Sequence, residues 1–180
     1  MNNDRGKVLL TIARAAISQA LNVPVHADET SSWLLEYGAC FVTLTQNSEL
    51  RGCIGSLEAH RSLLADVKGN AVSAALSDPR FSPLRAEELD MTRVEVSVLS
   101  PPQSMSFTDE DDALGQLRPE VDGVIFQYGI YRSTFLPQVW EQLPSARDFM
   151  AHLKYKAGLS PNFWAEGIKL SRYAVQKWKE

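Results

Sequence analysis

The chain has 180 residues, a hydrophobic fraction of 44%, a charged fraction of 22% and a formal net charge of -4. That is the length of one domain and an ordinary globular composition, which excludes the disordered and fibrous classes. The acidic balance argues against a phosphate-binding surface of Lys and Arg, so no nucleic-acid partner is expected. No apolar run approaches the roughly 18 residues needed to span a bilayer, and the opening Met1-Asn2-Asn3-Asp4-Arg5 lacks the features of a signal peptide. The expectation is a cytoplasmic protein with no membrane partner. The two cysteines, Cys40 and Cys53, are expected to be free thiols, and no His/Cys spacing points to a zinc site.

Apolar residues recur at helical spacing over 4–21, and Asn22 and Pro24 end that helix. Residues 39–45 are mostly β-branched or aromatic and predict a strand. Gln46-Asn47-Ser48-Glu49 is a turn of hairpin length, and 50–57 is the return strand. A second helix covers 62–77, with an alanine-rich inner face, and Asp78-Pro79 stops it. Val94, Val96 and Val98 alternate with polar residues in a half-buried strand.

Thr108 is placed to cap a short helix to about Leu117, with Asp109-Glu110-Asp111-Asp112 as its acidic first turn or as a solvated loop. Residues 123–127 and 130–135 form a second hairpin. Ser145 begins a helix that Gly158 stops, and 168–175 is the last strand before a basic, polar tail. The predicted fold class is α+β, a mostly antiparallel sheet with interspersed helices. Each half reads as a hairpin, a helix and a strand, with no repeat at the level of residues.

The segment Arg51-Gly52-Cys53-Ile54-Gly55 concentrates unusual choices within a strand. Glycine in a strand interior marks a bulge or the close approach of another group. Here Gly52 and Gly55 also permit positive φ, which would let backbone N–H groups converge on an anion. Arg51 adds a planar bidentate donor, and Cys53 a thiol whose pKa such surroundings would lower. Together they suit covalent or acid–base catalysis on a small anionic ligand. The alternative is structural, with Cys53 a small packed hydrophobe and the glycines a bulge. Cys40 reads as packed.

Leu50-Arg51-Gly52-Cys53-Ile54-Gly55 resembles the signature hexapeptide of the AMMECR domain family, whose bacterial members are called AmmeMemoRadiSam system protein A. The resemblance continues through 38–44, Asp78-Pro79-Arg80-Phe81-Ser82-Pro83, 95–99, 122–124, Leu136-Pro137-Gln138-Val139, Lys156-Ala157-Gly158-Leu159 and Trp164. It implies a single AMMECR-like domain over 1–180, made of two intimately packed subdomains around a cleft lined by the signature segment. It also implies association with a Memo-like protein, itself similar to ring-opening dioxygenases, and with a radical SAM protein. Lys154 stands where several relatives have a second cysteine, so any thiol chemistry falls to Cys53 alone. Trp140 and Leu143-Pro144-Ser145 also depart from the usual pattern.

Other residues complete the candidate site. Arg80 either pairs with Asp78 in a turn or faces a ligand. Glu95 and Ser97 share the polar face of their strand and line the cleft or face water. Gln138 is either a ligand contact or a cap. His60 is the imidazole nearest Cys53 in sequence, while His26 and His152 read as loop and solvated residues. No metal or cofactor is expected on this chain, and any such group would belong to a partner. Two functions follow: an enzyme or enzyme subunit built on Cys53 with Arg51, Gly52, Ile54, Gly55, Arg80, Glu95, Ser97 and Gln138 around it, or a non-catalytic adaptor for the Memo-like and radical SAM partners.

Overall fold

The apolar stripe at the start of the sequence forms helix α1, Asn2–Ala20, in a computed structural model that describes residues 2–180. Leu9, Ile12 and Ile17 of this helix are buried, and Asn22 leaves it in the left-handed region at φ 62°. The chain then forms strands β1 (Ala39–Gln46) and β2 (Glu49–Gly55), helix α2 (Leu63–Leu76) and strand β3 (Arg93–Leu99). Strand β4 (Gln103–Ser104), helix α3 (Glu110–Gln116), strands β5 (Gly123–Tyr128) and β6 (Tyr131–Phe135), helix α4 (Ala146–Lys156) and strands β7 (Lys169–Tyr173) and β8 (Val175–Lys179) follow.

These elements form two compact units. One runs to Leu99 and takes in Gln176–Glu180, and the other is Ser100–Val175. The first holds a four-stranded sheet in the order β2-β1-β3-β8, and the second a four-stranded sheet in the order β4-β7-β5-β6. The expected α+β class is what the chain adopts, with its antiparallel pairing divided between two sheets. The similarity between the halves is architectural. In each, the second hairpin strand lies at an edge, the first is central, and the strand after the helix pairs on its far side. That gives β2-β1-β3 in one unit and β6-β5-β7 in the other.

In the first unit, Asn47 and Ser48 both take positive φ, 52° and 66°, and close the β1–β2 hairpin with the twist that two-residue turns favour. Val42 and Leu44 of β1, Val94 and Val96 of β3, and Val67, Ala71 and Ala74 of α2 share one core with α1. In the second unit, Phe126 of β5 and Phe149, Met150 and Leu153 of α4 surround Trp140, whose ring stacks on Phe149 with centroids 3.9 Å apart. The Trp140 indole donates to the Asp122 carbonyl, so burial leaves its N–H paired.

Three local expectations change. The helix-starting cap is Asp109, whose carboxylate accepts from the Asp112 N–H, and Thr108 instead donates to the Asp112 side chain. The return strand stops at Gly55. The stretch 168–175 is divided at Ala174, and the supposed tail is strand β8, which joins the first sheet. Trp178 explains that last difference. It packs on the first core, and its ring fills the space where a Cβ on Gly6 would stand.

The alanine-rich face of α2 meets β2 at Gly52. A Cβ there would lie 2.2 Å from the carbonyl oxygen of Ala74, a backbone atom that moves only if the helix moves. Gly52→Ala is therefore expected to destabilise the protein by about 1–3 kcal/mol by overpacking. Gly115→Ala, in α3 with nothing within 4 Å of the added Cβ, is expected to stabilise by about 0.5–1 kcal/mol. Urea unfolding midpoints of the two variants check both signs.

Candidate functional site

The bulge predicted in the signature segment lies at Arg51. Leu44 pairs with Gly52 and Thr45 with Leu50, so Arg51 is the extra residue of β2. Beyond it the alternation is regular. Gly52 and Ile54 turn toward the core, while Cys53 and Gly55 lie on the opposite face. Neither glycine has positive φ. Gly52 admits α2, and Gly55 leaves room for the ring of Phe41, its cross-strand partner. The anion-binding nest that positive φ would have made is therefore not formed.

On the face of the sheet opposite α2, Cys53, Thr43 and Glu95 lie in one cross-strand row, and Gly55, Phe41 and Ser97 in the next. The Cys53 Sγ is 3.2 Å from the Thr43 Oγ1, and the two share a hydrogen bond. Cys53 and Glu95 are half-buried, whereas Ser97 is buried.

β2 is an edge strand, so the main chain at Cys53 points away from β1 and needs partners of its own. The turn after α2 supplies them. The Cys53 N–H donates to Asp78 Oδ2 at 2.9 Å, and Arg80 Nη2 donates to the Cys53 carbonyl at 3.4 Å. Arg80 also holds Asp78 with Nε at 3.0 Å and Nη2 at 2.8 Å. The Arg80 guanidinium, with the Cys53 N–H, keeps the Asp78 carboxyl well below the usual carboxylate range. Arg80 thus pairs with Asp78 in the turn, and its side chain remains 55% exposed.

Arg51 is committed differently. Its Nε and Nη2 each lie 3.3 Å from an oxygen of Glu88, a bidentate pair on the short helical turn Ala86–Met91. Burial opposes ionisation of Glu88, but the Arg85 N–H, Arg51 and Gln46 together outweigh it and hold the carboxyl below its ordinary value. Phe81 stands between the two cations, its ring centre 6.0 Å from the Arg51 guanidinium and 5.5 Å from that of Arg80.

Cys40 has the opposite environment to Cys53. It is fully buried, and burial, reinforced by the Asp66 charge, pushes its thiol well above the ordinary range. Asp66, itself fully buried on α2, accepts from the Cys40 N–H, the Ser56 hydroxyl, Arg61 and Asn70. This hub fastens the base of the hairpin to α2.

Of the residues singled out from sequence, Arg51, Gly52, Cys53, Ile54, Gly55, Arg80, Glu95 and Ser97 belong to the first unit. Gln138 is exposed on a helical turn of the second. His60 is exposed with Nδ1 3.2 Å from the Glu58 carbonyl, and His152 is exposed with Nδ1 2.9 Å from the Asp148 carbonyl. Sequence reasoning missed Thr43, Asp66, Asn70 and Glu88. Asp66 and Asn70 had left a signal, two polar residues four apart on the core stripe of an alanine-rich helix. Among the described residues, no group of three or more His, Cys, Asp or Glu is gathered as for a metal ion, and no helix is long and apolar enough to cross a membrane.

The arrangement offers a half-buried thiol next to a hydroxyl, with an exposed cation on the carbonyl of the same residue. Its dependence on Asp78 can be measured. Because that carboxyl is depressed in the fold, its stabilisation is present above about 3.9, the ordinary Asp value, and is lost as pH falls through the folded value. Asp78→Asn is expected to be less stable than wild type at neutral pH, with a shallower loss of stability below about pH 4. Urea titrations across that range check both effects.

Known proteins resemble this chain along nearly its whole length. The AMMECR1 family model matches residues 10–178. Protein MJ0810 of Methanocaldococcus jannaschii is 40% identical, over 98% of this chain and 90% of that protein. A protein of Methanothermobacter thermautotrophicus is 36% identical, over 100% of this chain and 96% of its own length. The crystal structure of the uncharacterized protein PH0010 from Pyrococcus horikoshii matches with a TM-score of 0.81 at 32% identity, covering 98% of this chain and 92% of that one. The chain belongs to the AMMECR1 family.

Proposed function

We propose that this AMMECR1-family protein is an enzyme or enzyme subunit whose working group is the Cys53 thiol, acting as nucleophile or acid/base on a small anionic substrate. The contrast between its cysteines carries the reading. Cys40 is sealed in the core, whereas Cys53 stands half-buried on a polar sheet face, hydrogen-bonded to Thr43 and in line with Glu95. A structural cysteine belongs in the first setting, and a reactive one needs the second. Arg80, exposed and held by Asp78 and Phe81, is the cation placed to orient the substrate. Arg51 acts through Glu88 to fix the bulge. The Memo-like and radical SAM proteins implied by the family resemblance are the partners with which it acts.

A brief iodoacetamide pulse followed by peptide mass mapping tests this reading. Native protein is expected to carry its adduct on Cys53, with Cys40 modified only after unfolding. A folded protein in which Cys53 resists alkylation would sink the thiol mechanism. The outward-facing Arg80 favours a second reading, a non-catalytic adaptor for the same partners. On that reading Cys53→Ala preserves function while Arg80→Ala abolishes co-purification with the Memo-like and radical SAM proteins. The enzyme reading predicts the reverse.

A further inference from the structure

In the second sheet, Val124, Phe126 and Leu170 share one face and a core with residues of α3 and α4. On the opposite face, Lys169, Gln127 and Arg132 form one cross-strand row, with Ser171, Ile125 and Thr134 in the row beside it. The loop after β4, the turn before β7 and residues of this face line a cleft of about 920 Å³, all of them in the second unit. That volume lies within the range of small-molecule sites.

The lining is divided by chemistry. Phe107 and Trp164 form an aromatic pair with centroids 5.6 Å apart, both only partly buried. The Lys154 ammonium lies 5.6 Å from the Trp164 ring centre and is itself buried against Glu110 and the Phe163 carbonyl, which anchors the indole. Exposed Lys169 and Gln127 also line the cleft and present a positive charge and an amide, with the Ser171 hydroxyl one row away, alongside Arg132 and the carboxylates of Asp109 and Glu166. Lys169 has no ion-pair partner among the described residues. Gly167, at φ 94°, makes the turn that carries the chain from Trp164 to Lys169.

We infer that this cleft binds a small organic anion built on a planar ring, with the ring against Trp164 and Phe107 and the anionic group on Lys169 and Gln127. Stacking supplies affinity for the ring, and a charge-assisted hydrogen bond fixes the anion. The site is separate from Cys53 and does not depend on the thiol being reactive.

Phenyl phosphate and benzoate distinguish the two anion chemistries. Benzamide and inorganic phosphate serve as probes lacking the charge or the ring. Each is titrated into ¹⁵N-labelled full-length protein while the Trp164 indole N–H signal, assigned with Trp164→Phe, is followed. At least one ring anion is expected to shift that signal saturably, with benzamide and inorganic phosphate binding about tenfold or more weakly. Lys169→Met, an exposed change that spares the fold, is expected to weaken the ring anion about tenfold and leave benzamide unaffected. No shift with either ring anion at millimolar concentration overturns the proposal, as does a Lys169→Met variant that binds the anion unchanged.

Discussion

Helix α2 lies so close to β2 that the Ala74 carbonyl oxygen occupies the space a side chain at position 52 would need. Much of the first unit depends on this contact. It requires glycine at position 52 and an alanine-rich helix face opposite. By fixing which way residue 52 points, it fixes the next residue on the other face. A slip of one residue would bury the thiol and turn Ile54 outward. The Arg51 bulge is what permits the change of register without disturbing the hairpin turn, and its bidentate pairing with Glu88 holds the bulge in place.

The same strand has an open edge, and the protein closes it with side chains. Asp78 and Arg80 present an acceptor and a donor to the N–H and carbonyl of Cys53, as a neighbouring strand would. This satisfies the main chain of Cys53 without a further strand. Asp66 does comparable work at the hairpin base, where one buried carboxylate serves four donors. Both acids are paired by arginine, so the charge that binds the backbone is itself compensated.

Periodicity made α1, both hairpins, α2 and α4 legible, because each buries one face and so writes its repeat into the sequence. The glycines of the signature segment correctly signalled a bulge and close approaches, but not the partners. Gly52 answers to Ala74 and Gly55 to Phe41, contacts set by the tertiary fold. Arg51 read as a free anion donor because Glu88 is 37 residues away in sequence. Strand β8 was missed because Gln176, Lys177 and Lys179 make it mostly polar. Its one strong apolar side chain, Trp178, matters only once α1 is there to receive it. The shared strand order of the two units was legible as a pattern of elements, while their residues carry no repeat.

Strand β8 gives the first unit a discontinuous chain. Its sheet is completed by residues that follow the whole of the second unit. During synthesis, the hairpin, α2 and β3 emerge together and can collapse on α1, yet β3 keeps an unpaired edge until the last strand arrives. The second unit is continuous and is free to fold in that interval. Its folding governs how soon residues 175–179 reach β3, so the nascent chain passes through a stage with an exposed strand edge and no Trp178 against Gly6. Order of emergence, as much as final packing, then decides when the first unit becomes protected from association with other chains.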